Sequence, residues 1–322
     1  MRAAYAESLN PDDPLAGLVV GERPDPVAPD GWTRVAVKAA SLNHHDLWTL
    51  RGVGIKAEQL PMILGCDAAG IDESTGDDVV VHSVINAPGW EGDDTLDPRR
   101  SLLSERHQGS IAEYVIVPKR NVVPKPAELS WGEAACLSTA WLTAYRMLFT
   151  QSGLRPGQTV LVQGASGGVA TACIALARAA GMRVLATART EAKQAKALEL
   201  GAHESFDSGA RLPEKVDAVM ETVGEATWSH SLRALKPGGK IVICGATSGP
   251  NPPADLNRIF FLQLQVIGST MGTKNELADL IAFLHATGLR PYVDRTIPLA
   301  RVADGLTAMA SGDLVGKIVI EL

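Results

Sequence analysis

A strand-like run, Val160-Leu161-Val162, leads straight into Gly164-Ala165-Ser166-Gly167-Gly168-Val169-Ala170 and then into a helical pattern. That context turns a glycine pattern into a dinucleotide fingerprint, here A-x-G-x-x-A at Ala165, Gly167 and Ala170. Gly167 lets the backbone approach a pyrophosphate on the helix N-terminus, where free N–H groups and the positive end of the helix dipole favour anions. Ala170 is small enough for close helix packing. The turn nominates Ala165, Ser166, Gly167, Gly168 and Val169 as cofactor-binding residues; the plain alternative is a tight turn with no ligand.

The flanking pattern supports the first reading. Strand-like runs at 159–163, 183–188, 205–206, 217–223, 240–244 and 265–268 alternate with helical ones at 169–180 and 191–200, the second closed by Gly201. Six strands in βαβ rhythm predict an α/β fold with a doubly wound parallel sheet, the Rossmann arrangement. The uncharged stretch 156–177 is about as long as a membrane span, but Pro156, its glycines and its glutamines make it strand, turn and helix instead.

The first third differs in texture. Short β-like runs at 34–39, 78–82 and 114–117 are punctuated by Pro24, Pro26, Pro29, Gly52, Gly54 and Pro61, which predicts a barrel-like antiparallel domain. Pro124 and Pro126 close it, and a helical segment with Ala134, Ala135, Leu137 and Leu142 follows. After Thr270 a helix carries Leu277, Leu280, Ile281 and Leu284, another carries Val302, Leu306 and Met309, and a strand at 317–321 is expected to return to the first domain. The division is therefore 1–122 completed by 272–322, with 123–271 as the cofactor domain.

A chain of 322 residues has room for two such cores. Its 30 basic and 36 acidic residues give a net charge of −6 with no basic block, which excludes nucleic acid as a main partner and leaves a small molecule. Cys66, Cys136, Cys173 and Cys244 never approach C-x-x-C spacing, so a reducing, cytoplasmic setting is expected. The N-terminus reaches Pro11-Asp12-Asp13-Pro14 without an apolar stretch, and no secretory signal or membrane association is expected.

Cofactor choice turns on the residue ending the second strand, where an acid would bind the ribose 2′-hydroxyl of NAD. That residue is Ala188, followed by Arg189 and, one turn later, Lys193. Two cations and no carboxylate suit a 2′-phosphate, so NADP(H) is the expected cofactor. Solvated surface charge is the alternative for both.

Together the segments Ser41-Leu42-Asn43-His44-His45-Asp46-Leu47-Trp48, Leu64-Gly65-Cys66-Asp67-Ala68-Ala69-Gly70, Gly109-Ser110-Ile111-Ala112-Glu113-Tyr114-Val115, Leu142-Thr143-Ala144-Tyr145, the glycine turn, Leu235-Lys236-Pro237-Gly238-Gly239-Lys240 and Gly316-Lys317 span nearly the whole chain. In order and spacing they resemble the medium-chain dehydrogenase/reductase superfamily, in its zinc-independent, quinone oxidoreductase-like branch. The resemblance implies a GroES-like β-barrel catalytic domain, a Rossmann cofactor domain, an active site where they meet, hydride transfer with NAD(P)H and commonly a homodimer formed through the Rossmann domain. To the cofactor-binding set it adds His44, Thr143, Gly245 and Lys317.

Zinc-dependent members of that superfamily take catalytic ligands from positions that here hold Asn43, Cys66 and Thr139. One thiol falls short of the three ligands catalytic zinc needs, so no metal is expected, a residual site from Cys66, Asp67 and His45 being the alternative. The four-cysteine lobe of many relatives corresponds to 86–108, which has no cysteine and reads as a solvated loop.

Without a Lewis acid the acceptor must be polarised by hydrogen bonds, which suits a quinone or an α,β-unsaturated carbonyl. Asn43 is the expected donor to its oxygen and His45 the expected proton source. A turn-stabilising Asn and a barrel-bound His are the plain alternatives, and Asp46 is expected to satisfy backbone N–H groups. The first functional reading is thus an NADPH-dependent reductase of quinones or activated alkenes. An alcohol or carbonyl dehydrogenase and a non-catalytic NADPH-binding sensor remain as alternatives.

Overall fold

A computed structural model describes residues 1–322, which divide into two compact units. The first comprises 1–142, 271–286 and 290–322; the second comprises 143–270 and 287–289. No helix is long and apolar enough to cross a membrane.

In the first unit a seven-stranded sheet runs Val122–Pro124, Asp78–Val81, Asp67–Asp72, Trp32–Ser41, Lys317–Glu321, Val293–Pro298, with Tyr114–Pro118 also paired to Trp32–Ser41. A three-stranded sheet sets Arg2–Ala6 between Leu18–Glu22 and Met62–Ile63. Trp32–Ser41 buries alternate residues over its first half and nearly all of its end, the pattern of a strand that starts at solvent and finishes in the core. The C-terminal strand does return here: Val319 lies opposite Ser41, and Leu42 N–H donates to Ile318 O. That register delivers Lys317 to the end of the Trp32–Ser41 strand, where α1 (His44–Leu50) begins.

Residues 123–142, expected in the cofactor unit, cluster with the first. Ser41 Oγ donates to Ala135 O, Ser138 Oγ to Val81 O, and Arg290 pairs with Glu133, so this segment is bonded into the barrel. The stretch 86–108 is likewise no solvated loop. Asp97 is fully buried and accepts from the N–H groups of Ala87 and Arg99, while Asp94 takes Arg120 and the N–H of Lys274. Its carboxylates serve as internal braces where a metal-bound lobe would have cysteines.

The second unit is a six-stranded, wholly parallel sheet. Its strands are β1 (Thr159–Val162), β2 (Arg183–Ala188), β3 (Glu204–Asp207), β4 (Val216–Glu221), β5 (Leu235–Ile243) and β6 (Gln265–Gly268), in the spatial order β3-β2-β1-β4-β5-β6. This is the Rossmann order, with its switch point between β1 and β4. β1 is buried along its whole length, as a strand covered on both faces must be. Leu161, Leu185, Val219 and Ile241 form one core with Trp228 and Leu232. The helices that matter for the site are α2 (Gly168–Ala179), α3 (Glu191–Glu199) and α4 (Glu225–Ala234).

Candidate cofactor and active sites

At the end of β1, Gly164 has φ +64, and a Cβ there would meet Val223 Cγ2 at 2.7 Å; only glycine makes this turn without displacing its neighbour. Ala165 is buried and its N–H donates to Thr187 O at 2.8 Å, so it ties the turn to β2. Ser166, Gly167, Gly168 and Val169 stand half-buried at the start of α2. The first helical bond there runs from Thr171 N–H to Gly167 O, which leaves the N–H groups of Gly168, Val169 and Ala170 without a helical acceptor. A Cβ on Gly167 would meet nothing within 4 Å. Open space over a helix N-terminus is a cradle that fits a phosphate group.

β2 ends at the buried Ala188, and no carboxylate takes the 2′-hydroxyl position. Arg189 is exposed and makes no ion pair or hydrogen bond. Thr190 caps α3, accepting from Lys193 N–H, and puts Lys193 one turn along. Gly245 lies just past β5, half-exposed, and Thr143 is buried in the same unit.

The remaining expected residues belong to the first unit. Asn43 immediately precedes α1, and Asp46 accepts from the N–H groups of Asn43 and Gly65 at 2.8 and 2.9 Å, the backbone role foreseen for it. The Asn43 amide is fully engaged. Its Nδ2 donates to Ser41 O and to Asp67 Oδ2 at 2.8 Å, and its Oδ1 accepts from Lys317 Nζ at 2.6 Å. Reversing the amide would aim a donor at an ammonium and an acceptor at a carboxylate, so neither hydrogen is left for an acceptor's oxygen. Lys317 is also redirected: its three N–H groups go to Leu42 O, Asn43 Oδ1 and Asp67 Oδ2, with the side chain 3% exposed, and none remains for a cofactor. His44 is exposed on the first turn of α1.

His45 sits in a relay that the sequence does not reveal. Its Nδ1 lies 3.3 Å from Cys66 Sγ and its Nε2 3.3 Å from Glu105 Oε1, with Thr49 Oγ1 also facing Nδ1. Burial pulls the imidazole down, but Cys66, Glu105 and Asp46 outweigh it and hold His45 well above its usual value. Burial pushes the Cys66 thiol up against the pull of His45, while at Glu105 the contacts with His45, Leu102 N–H and Ser101 outweigh burial and hold its carboxyl below the usual range. Glu105 is braced in turn by Leu102 N–H. Glu105 was missed because it lies sixty residues from its partner in a stretch that reads as loop.

Comparison with known proteins places this geometry. A family model described as an alcohol dehydrogenase GroES-like domain matches residues 29–127, and one described as a zinc-binding dehydrogenase matches 168–286. A solved structure described as an NAD-dependent alcohol dehydrogenase is 33% identical, with 100% of both chains covered and a TM-score of 0.91. The chain belongs to the medium-chain dehydrogenase/reductase superfamily. Similar curated proteins include a quinone oxidoreductase of Lama guanicoe, 29% identical over 317 residues, covering 92% of this chain and 91% of that protein. A crotonyl-CoA carboxylase/reductase of Cereibacter sphaeroides is 29% identical over 328 residues, covering 85% and 76%.

Membership of this superfamily raises the question of zinc, and the donor set answers it. The three ligand positions hold an amide, a thiol and a hydroxyl. The amide oxygen faces an ammonium at 2.6 Å, so a cation is already seated beside Asn43 and Asp67. The two nitrogens of His45 turn toward different partners, Cys66 and Glu105, and cannot serve one ion together with both. Asp67 Oδ1 and Thr139 Oγ1 are buried without hydrogen-bond partners, but one carboxylate oxygen and one hydroxyl fall short of three zinc ligands. No three His, Cys, Asp or Glu side chains converge on a metal position. These residues do not fit a catalytic zinc ion.

Proposed function

We propose that this protein is an NADPH-dependent reductase of quinones or activated alkenes, α,β-unsaturated carbonyls included, that works without zinc. The observation that carries the proposal is the Lys317 ammonium held between Asn43 and Asp67, in the region where zinc-dependent relatives keep their ion. Bound NADPH supplies hydride, and a conjugated acceptor takes it at carbon while charge spreads to oxygen, a reaction that oriented hydrogen bonds can support.

The chain's own residues divide the remaining work. The N–H groups of Gly168 and Val169, with Ser166 and Gly167, hold the pyrophosphate, and Arg189 with Lys193 grips the 2′-phosphate. Glu105 accepts from His45 Nε2 and orients the ring, and His45 delivers the proton that the reduced acceptor's oxygen takes up. Asn43 anchors Lys317 and Asp67 and takes no part as a donor to substrate.

β6 is the sheet's edge, bonded only to β5, with Val266 46% exposed and Phe260 and Phe261 exposed on the helix before it. Antiparallel pairing of this edge with a second copy is self-complementary and covers those side chains, so the working form is a homodimer, to be read by sedimentation. Four unpaired thiols suit a reducing, cytoplasmic setting.

The test is NADPH consumption against a panel of small quinones and an unsaturated thioester, with metal analysis of the same preparation. Turnover at substoichiometric zinc is expected. A second reading, alcohol dehydrogenase, is favoured by the 33% identity to the NAD-dependent alcohol dehydrogenase structure; stoichiometric zinc with turnover of simple alcohols by NAD would establish it instead.

A further inference from the structure

Beneath the dinucleotide turn lies a buried polar chain that the reaction scheme above does not use. Glu221, fully buried at the end of β4, accepts four hydrogen bonds and donates none. Oε1 takes the N–H groups of Val223 and Gly224 at 2.8 and 3.1 Å and the hydroxyl of Thr227 on α4 at 2.8 Å; Oε2 takes Ser231 Oγ at 2.6 Å. This acceptor-only pattern is that of an ionised carboxylate. The chain continues from Ser231 Oγ, which accepts from Gln163 Nε2, to Gln163 Oε1, which accepts from Thr187 Oγ1 at 2.5 Å. Gln163 also donates to His230 Nδ1.

These bonds join the carboxyl ends of β1, β2 and β4, the edge where this sheet class binds its ligands. Each anchored residue adjoins a piece of the cofactor cradle. Gln163 precedes Gly164, and Thr187 precedes Ala188 and Arg189 while its carbonyl takes Ala165 N–H. Val223 presses its Cγ2 on the place where Gly164 lacks a Cβ. Gly224, at φ +92, bends the chain into α4 and leaves no room for a side chain, since a Cβ would meet Gly249 O at 2.5 Å. A carboxylate that gathers two consecutive backbone N–H groups fixes such a turn in one conformation.

We propose that Glu221 is a positioning residue for the cofactor: its carboxylate sets the Val223–Gly224 turn against Gly164, and the Ser231–Gln163–Thr187 chain sets the ribose-side strand end to match. The proposal rests on the nicotinamide-cofactor reading.

The test is NADPH titration of the full-length protein, followed by calorimetry, with thermal unfolding of each variant. Glu221→Ala strands the buried N–H of Gly224 and the half-buried one of Val223 and releases the turn between them, and is expected to raise the NADPH dissociation constant roughly tenfold or more, on the order of one lost buried hydrogen bond. KM for NADPH rises with it while kcat changes little. Glu221→Gln keeps an acceptor for both N–H groups and rescues binding to near the wild-type value. Val219→Ala, a core truncation on the same strand, lowers the melting temperature and leaves NADPH affinity as it was. If Glu221→Ala does not fold, Thr227→Val removes one donor at constant shape and shows a smaller loss of affinity. Wild-type affinity in Glu221→Ala, or in Thr227→Val where that variant stands in for it, overturns the proposal, as does an equal affinity loss in Val219→Ala. Wild-type protein that binds neither NADPH nor NADH removes the cofactor reading itself and this proposal with it.

Discussion

Lys317 and Asp67 form an ion pair with side-chain exposures of 3% and 0%. Such a pair adds little over an apolar pair of the same shape, yet removing one member leaves the other charged and alone, at about 3–5 kcal/mol. Lys317→Met is therefore expected to lower the unfolding free energy by roughly that amount, read by urea denaturation. Adding Asp67→Asn to Lys317→Met recovers part of the loss, because the stranded charge is gone. A single variant as stable as wild type would mean the pair is not dehydrated as described. Sequence reading found Lys317 as a residue of interest but gave it to the cofactor. Nothing within a few residues of it signals that its acceptors are Leu42, Asn43 and Asp67, about 250 or more positions away.

At the scale of elements, the turn from β1 into α2 separates stability from binding. Gly167 has φ −72 and ψ 159, a conformation alanine adopts freely, and its Cβ would enter open space. Gly167→Ala should keep or slightly raise the melting temperature, through a less flexible unfolded chain, while the methyl group over the helix N-terminus weakens NADPH binding. Gly164→Ala should do the reverse in kind: the positive φ and the clash with Val223 destabilise the fold by about 1–3 kcal/mol, seen in thermal unfolding before any ligand is added. Equal behaviour of the two variants would refute the assignment of the open side. This element was legible in advance because its information is local: an apolar strand, glycines at fixed offsets and a small residue at Ala170. The parallel order followed from strand and helix alternation. Glu105 and the carboxylates of 86–108 were not legible, since an acidic residue in a loop-like stretch looks the same whether it faces water or folds back on His45, Ala87 or Arg120.

Across the whole molecule, two neutral histidines tie together segments far apart in sequence. His82 Nε2 donates to Gly272 O at 2.9 Å, linking the barrel to the segment 190 residues later, and His230 Nε2 donates to Ala210 O at 2.8 Å while its Nδ1 accepts from Gln163. Burial lowers both below the ordinary value of about 6.5; Lys274 and Arg120 add to the effect at His82, against Asp94 and the Gly272 bond, and Arg233 and Lys215 add to it at His230, against the Ala210 bond and Glu221. Each imidazole is harder to protonate folded than unfolded, so below about pH 6.5 the unfolded chain binds more protons and stability falls as the solution is acidified. His45 works in the opposite sense: its raised value gives stability that is full below about 6.5 and is lost as pH climbs through the folded value. His44 and His107 in the first unit and His203 in the second are lowered as well, chiefly by desolvation, so acidification through about pH 6.5 is expected to loosen both units, the second through His230 and His203. Hydrogen exchange at pH 7.5 and 5.5 reads the second unit's share directly, as a loss of protection in β1 and β4 at the lower pH. His230→Gln should lower stability at pH 7.5 and flatten the acid dependence of the second unit, whereas an unchanged slope would show that its titration is not the cause.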